Sequence, residues 1–161
     1  MTQRNISITL QCLVKKDGKY LMLRRNPEKR IMPDVWMAPG GHREFCEGVF
    51  EAARREIMEE TGLEIKNMRI RGAGVAFLKD LQLEVHFHFL TAEYAGGELI
   101  SNPEDGELAW LESKEILTLD NLLSELKDVL PHALSDDPRT ISYKATYEKG
   151  NEMIDFQIEN G

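Results

Sequence analysis

The chain reads as an α+β protein, an α/β/α sandwich in which a mixed β-sheet is packed between helices. Three observations predict this. Several separate segments alternate apolar and polar residues at period two, two segments with helical spacing lie among them, and strands and helices follow no regular strand–helix–strand beat. Residues 1–161 show no repeat, low-complexity stretch or linker, so they read as a single domain, with 42% hydrophobic residues to build a core.

The elements follow in order. Ile6 to Val14 alternates, Asp17-Gly18 marks a turn, and Lys19 to Arg24 continues in strand pattern, a hairpin signature. A loop from Asn26 to Trp36 carries two prolines and is closed by Pro39-Gly40-Gly41. Gly48 to Thr61 is rich in helix formers and stops before Gly62, a residue suited to a left-handed helix end. Strands are expected over Arg69 to Phe77 and Gln82 to Tyr94, with Val85, Phe87 and Phe89 opposite His86 and His88. A short strand follows at Glu107 to Leu111. A second helix is expected from Asn121 to Leu130, its buried stripe formed by leucines and Val129 and its end set by Pro131. A final hairpin pairs Ser142–Tyr147 with Met153–Ile158.

The bulk composition excludes several function classes. No apolar run approaches the roughly 18 residues of a membrane span. The alternating N-terminus resembles a first strand rather than a signal peptide. Two cysteines, Cys12 and Cys46, make no disulfide framework, which predicts a reduced, cytoplasmic location. A net charge of −8 counts against a nucleic-acid backbone as the main partner. Clustered carboxylates can instead hold divalent cations that face a polyphosphate.

Such a cluster lies on the first helix. Glu56, Glu59 and Glu60 sit three and four residues apart, which stacks three carboxylates on one helix face. Their mutual repulsion is relieved either by solvent, as on any acidic helix face, or by a hard cation such as magnesium or manganese. The surrounding residues decide between these. Gly41 to Leu63 reads GHREFCEGVFEAARREIMEETGL: glycine, Glu47 six residues on, Arg55-Glu56-Ile57, Glu59-Glu60, then Gly62-Leu63.

This segment resembles the Nudix box at every specified position, a match expected by chance on the order of once in ten million chains of this length. The element order, and the terminal hairpin in particular, is similar to MutT-like members of the nucleotide-pool-sanitising branch. The resemblance implies the Nudix fold and a Mg2+-dependent hydrolase, with Mn2+ as a substitute ion. It implies Glu56, Glu59 and Glu60 as metal ligands with the Gly40 carbonyl beside them. It further implies a Glu47–Arg55 pair holding the loop against the helix, and a distal acid in Asn102 to Trp110, assigned to Glu104 ahead of Asp105 and Glu107. Glu56 is the first candidate for general base and Glu104 the second. The box departs from a common pattern in carrying Cys46 where many members have glycine before the first glutamate. Cys46 has no activating base and the expected water mechanism needs no thiol.

Residues outside the box divide into functional and structural readings. Arg24 or Arg25 can meet substrate phosphates, or merely end a strand. Trp36 can stack on a base or plug the core. Asn121 stands where the MutT resemblance implies a base-reading side chain, while Asp120 or Asn121 can equally cap the second helix. His86 and His88 share a strand face, but no third metal ligand accompanies them. The partner expected is a small nucleotide, with a second copy of the chain as a further partner, since domains of this family often pair. Among nucleotides, a triphosphate leads, with an oxidised guanine triphosphate named first. Triphosphorylated RNA, ADP-ribose and coenzyme A are the alternatives, the last on a partial echo at Leu21, Arg25 and Arg30 that fails at Asp34 and Ala38. A non-catalytic nucleotide sensor is the rival class, and the intact set of box carboxylates argues against it.

Overall fold

The computed structural model describes residues 4–100 and 102–161. Its strands are β1 (Ile6–Lys16), β2 (Lys19–Arg25), β3 (Trp36–Met37), β4 (Gly40–His42), β5 (Leu63–Leu78), β6 (Leu83–Gly97), β7 (Gly106–Leu111), β8 (Ile141–Tyr147) and β9 (Met153–Glu159). The helices are α1 (Val49–Thr61), α2 (Ser113–Ile116) and α3 (Leu126–Ala133). The sheet runs β3-β2-β1-β6-β5-β8-β9, with β4 also on β1 and β7 on β2. The β1–β6 and β5–β8 pairs are parallel and the others antiparallel, so the sheet is mixed as expected.

Alternation along β1 shows why helices cover both faces. Leu13 belongs to one buried cluster, with Met22, Phe87, Phe89 and the α3 residues Leu126, Val129 and Leu130. Its neighbours Cys12 and Val14 belong to the other, with the α1 residues Ala52, Ala53 and Ile57. Side chains one apart on a strand point to opposite faces. Burial on the α1 side is tight: Ile57 is fully enclosed, and its truncation to alanine costs roughly 2–5 kcal/mol. In α1, Gly48 stands at the N-cap, where its N–H donates to Glu51 at 2.7 Å, and Gly62 at φ 75 closes the C-terminus.

β1 forks on one edge. Thr9, Leu10 and Gln11 pair with β4, the Cys12 N–H donates to Pro39 O, and Lys15–Lys16 pair with β2. The fork carries the Gly40-Gly41 turn beneath α1 and opens a cleft on the α3 side of the sheet.

The structure corrects several expectations of element boundaries. The second helix begins at Leu126, not Asn121, because residues 121–123 spend their backbone groups on β3: Trp36 N–H donates to Asn121 O at 3.0 Å and Leu123 N–H to Trp36 O at 2.9 Å. Asn121 itself has φ 60 and caps nothing. Pro131 lies inside the helix rather than ending it, at the cost of one backbone bond. β5 also begins at Leu63, earlier than the expected Arg69, because register shifts near Ile65, Arg69 and Gly72 blur its alternation.

Candidate active site

Arg55 organises the carboxylates. Its Nε and Nη2 donate to the two carboxylate oxygens of Glu47, each at 2.8 Å, a bidentate pair joining the loop to α1. The same guanidinium donates from Nη1 to Glu56 at 2.7 Å and Glu59 at 3.2 Å, and from Nη2 to the His42 carbonyl at 2.9 Å. The Arg55 hydrogen bonds, helped by the Glu44 backbone, pull the Glu47 carboxyl down to about 2. Those acceptors in turn hold the guanidinium well above its ordinary range.

Glu56 and Glu60 lie on the side of α1 that faces the Gly40-Gly41 turn. A Cβ built on Gly41 would stand 2.5 Å from the Glu56 carboxyl carbon, so glycine at 41 is what admits this carboxylate. Gly40 N–H donates to Glu60 at 2.8 Å. Burial first, then the charges of Asp105 and Glu56, push the Glu60 carboxyl up to about 7, against the Gly40 bond and Arg25. Such crowding of partly buried acids suits a cation, and all the donors are hard oxygens fitted to magnesium. As the side chains stand, no group of three His, Cys, Asp or Glu among the described residues converges at metal-binding distance. Arg55 draws Glu56 and Glu59 to itself while Gly40 holds Glu60.

All three carboxylates line one end of a cavity of about 540 Å³. Arg25, Lys29, Asn102 and Asp105 line the same end. Asp105 accepts from Asn102 at 2.7 Å and Lys29 at 3.4 Å, and its charge is felt at Glu60. The acid of this segment that reaches the cavity is therefore Asp105; Glu104, one residue earlier, is exposed and outside the lining. Arg25 is the strand-end arginine that faces the site, and burial lowers its pKa. Arg24 points away and pairs with Asp34 at 2.7 Å on the surface.

Neither aromatic nor amide expected for base recognition lines the cavity. Trp36 packs against the α3-side core, and its neighbours Met37 and Ala38 reach the cavity instead. Asn121 donates to the Asp34 carbonyl at 2.6 Å, tying the loop over residues 26–35 to the segment before α3. His86 and His88 face the α1 side of the sheet, where His86 contacts Glu84 at 2.5 Å.

A sequence model of the NUDIX domain matches residues 4–133, which include the whole carboxylate helix and the cleft. The chain belongs to the Nudix family. It is 32% identical over 112 residues to the Nudix hydrolase YvcI of Bacillus subtilis, a match spanning 67% of each chain. It is 35% identical over 106 residues to the NAD-capped RNA hydrolase NudC of Stutzerimonas stutzeri, covering 65% of this chain but 34% of that one. Among solved structures, the MutT protein of Bacillus halodurans superposes with TM-score 0.82 at 25% identity, over 95% of this chain and 97% of that one. This Nudix hydrolase thus acts on a nucleotide derivative, in a family whose members generally use divalent ions such as Mg2+. No described helix is long and apolar enough to cross a membrane.

The far end of the Nudix cleft holds residues the sequence reading passed over. Leu23, Ile31, Met37, Val85, Phe87 and Leu123 make apolar walls. Into them project Gln11, 7% exposed, and Glu125, 3% exposed. Burial pushes the Glu125 carboxyl up to about 7, opposed by the nearby Tyr147 and Tyr143 hydroxyls. An acid within the leucine-rich run Asn121 to Leu130, three residues after Leu122, was the available signal.

Proposed function

We propose that this Nudix hydrolase is a magnesium-dependent pyrophosphohydrolase of nucleoside triphosphates, releasing a nucleoside monophosphate and pyrophosphate, with an oxidised guanine triphosphate as the first candidate. The observation that carries the reading is that one cavity of about 540 Å³ has carboxylates and cations at one end and apolar walls at the other. A phosphate chain suits the first end and a nucleobase the second.

Glu56, Glu59 and Glu60, with the Gly40 carbonyl, would hold Mg2+ or Mn2+, and Asp105 takes the distal position expected of Glu104. The ion, when bound, neutralises the diphosphate and acidifies a water. Glu56 would accept the proton of a water held in the cleft as its oxygen attacks in line: attack at the α phosphorus breaks the bond to departing pyrophosphate, and attack at the β phosphorus breaks the same anhydride with the nucleoside monophosphate departing. Arg55 fixes the Glu56 carboxylate for this role through the 2.7 Å bond. Arg25 and Lys29, which line the cavity with the carboxylates, would meet the phosphate oxygens.

A panel of canonical and oxidised nucleoside triphosphates, ADP-ribose, coenzyme A, diadenosine polyphosphates, triphosphorylated RNA and NAD-capped RNA tests the reading with magnesium present. The expected result is preferential cleavage of one triphosphate to monophosphate plus pyrophosphate. In Glu59→Gln turnover falls by about 100-fold or more while the fold is kept. Inactivity on every triphosphate, with turnover of another member of the panel, overturns the substrate class.

A further inference from the structure

The deep end of the cavity holds two polar side chains whose bonding is incomplete. The Tyr147 hydroxyl donates to Glu125 Oε1 at 3.2 Å, and the Glu125 N–H donates to the same phenol oxygen at 3.2 Å. Glu125 Oε2 is buried and has no hydrogen-bond partner among the described residues. Tyr143 lies near enough to influence this carboxyl, yet its hydroxyl is also unpartnered, so it stands beside Glu125 without hydrogen-bonding geometry. Gln11 spends its Oε1 on the Ala38 N–H at 3.3 Å, which leaves its Nε2 as the donor for a ligand. An apolar chamber thus offers one acceptor from Glu125 and one donor from Gln11.

The terminal hairpin holds this arrangement in place, and it lies beyond residue 133, where the NUDIX match ends. Strand β8 supplies Tyr143 and Tyr147. At the hairpin turn, Asn151 accepts from the Ser124 N–H at 2.8 Å through Oδ1, and from the Ser124 hydroxyl at 2.7 Å through its carbonyl. Its Nδ2 donates to Leu122 O at 2.9 Å. Ser124 and Leu122, just before Glu125, are thereby fixed to the hairpin, while Leu126 after it opens α3.

We propose that Glu125 and Gln11 are specificity-determining residues that select a lactam base of guanine type, with Tyr147 as the positioning residue for Glu125. The inference rests on the nucleoside triphosphate reading and names the residues that would select the base within it. Guanine presents N1–H and an exocyclic amine to the carboxyl, and its carbonyl oxygen accepts from the Gln11 amide. Adenine has no carbonyl for Gln11 and no ring N–H on that edge for Glu125. Hypoxanthine keeps the lactam and lacks the amine, so it falls between them. Discrimination of this kind is strong because a wrong base leaves buried polar groups unpaired.

Calorimetric binding of GMP, IMP and AMP without metal, to the wild-type chain, Glu125→Gln, Gln11→Leu and Tyr147→Phe, tests this apart from catalysis. The expected order is GMP, then IMP, then AMP, with GMP about 10-fold or more tighter than AMP. Glu125→Gln and Gln11→Leu each reduce that ratio by about 10-fold, and Tyr147→Phe by a smaller factor. With magnesium, KM for GTP rises in Glu125→Gln while kcat stays within about 3-fold, since only base contacts are lost. Thermal melts identify the variants that keep the fold, and three substitutions leave independent routes to the result. Equal binding of GMP and AMP, or an unchanged ratio in folded Glu125→Gln and Gln11→Leu, overturns the inference. Cleavage of triphosphates with no base preference sinks this inference alone. A GMP preference without triphosphate cleavage sinks the triphosphate reading and leaves the base site standing.

Discussion

Replacing Gly41 with alanine tests the position of Glu56 with one added methyl group. The new Cβ would stand 2.5 Å from the Glu56 carboxyl carbon and 2.8 Å from Oε1, with Oε2 also in its path, where ordinary contact begins near 3.4 Å. The carboxylate must therefore retreat by about 1 Å. Gly41 is not among the glycines with positive φ, so alanine meets no backbone strain there, and the group that has to move is the end of a flexible side chain. Stability should change by less than about 1 kcal/mol. Activity should not be spared: a 1 Å displacement of a catalytic group costs on the order of 100-fold, which is about 2.7 kcal/mol in the barrier. Steady-state kinetics across a magnesium titration, beside a thermal melt, separate these effects. Gly41→Ala should melt near the parent and lose about 100-fold in kcat, with a weaker magnesium dependence. A neighbouring control sharpens the result. At Gly40 the added Cβ meets the Leu10 carbonyl and, at 2.9 Å, Gln11 Cα, so Gly40→Ala should damage the β1–β4 pairing and the fold itself. A folded Gly41→Ala protein with the parent's kcat and magnesium dependence would refute the placement of Glu56 in the chemistry.

Two further outcomes concern pH. The Glu47 carboxyl is held at about 2, below its unfolded value, so its pairing with Arg55 stabilises the fold above the unfolded pKa and is lost as pH falls toward 2. An acid titration followed by circular dichroism should show Arg55→Ala losing this increment, its stability curve flatter than the parent's below about pH 4.5; parallel curves would remove the pair from the acid response. Glu125 has the opposite sign: its folded carboxyl is raised to about 7, so its contribution is intact below the unfolded pKa and is lost as pH rises through 7. Relative to the parent, Glu125→Gln should gain stability between about pH 4.5 and 7, with an upper bound of about 3 kcal/mol, in chemical denaturation of the metal-free protein. A constant difference across that range would show that Glu125 does not titrate there.

The sequence displayed the local parts of this molecule and hid those made by tertiary contact. The β1–β2 hairpin, α1 with its glycine ends, and the Glu47–Arg55 pair are set by residues within about twenty positions of one another, and each is found as expected. Asn121 to Leu130 failed because its first residues bond to β3, nearly ninety positions earlier in the chain, a partner that helical periodicity cannot show. Moving the helix start to Leu126 places Glu125 just before it, where the acid is buried and accepts from Tyr147 of β8, while Asn121 lies outside the cavity. The acid of Asn102 to Trp110 that lines the cavity differs from the expected Glu104 by one residue. Gly106 adopts φ 141 against the Arg24 backbone at the start of β7, and the turn that delivers it points Asp105 inward and Glu104 out. Trp36 is absent from the cavity because its backbone bridges to Leu122 and its ring joins the core.

The unequal burial of the three box carboxylates would separate their parts if they hold the ion as proposed. Glu56 is 17% exposed in its side chain and bonded to Arg55 at 2.7 Å, whereas Glu59 is 60% exposed and reaches Arg55 at 3.2 Å. An exposed pair of this length contributes little and is released at little cost. Glu60, buried and tied to Gly40, has no comparable freedom. On the proposed assignment Glu56 and Glu60 would be restrained by Arg55 and Gly40, and Glu59 would be the carboxylate free to move at the least cost. Arg55 keeps its bidentate hold on Glu47 and its bond to Glu56 throughout. The guanidinium restrains Glu56 and Glu59, and its bonds to Glu47 hold the loop and the helix in register. Substitution of Glu59 should then weaken ion capture without disturbing the rest of the site, whereas substitution of Arg55 disturbs loop, base and ligand together.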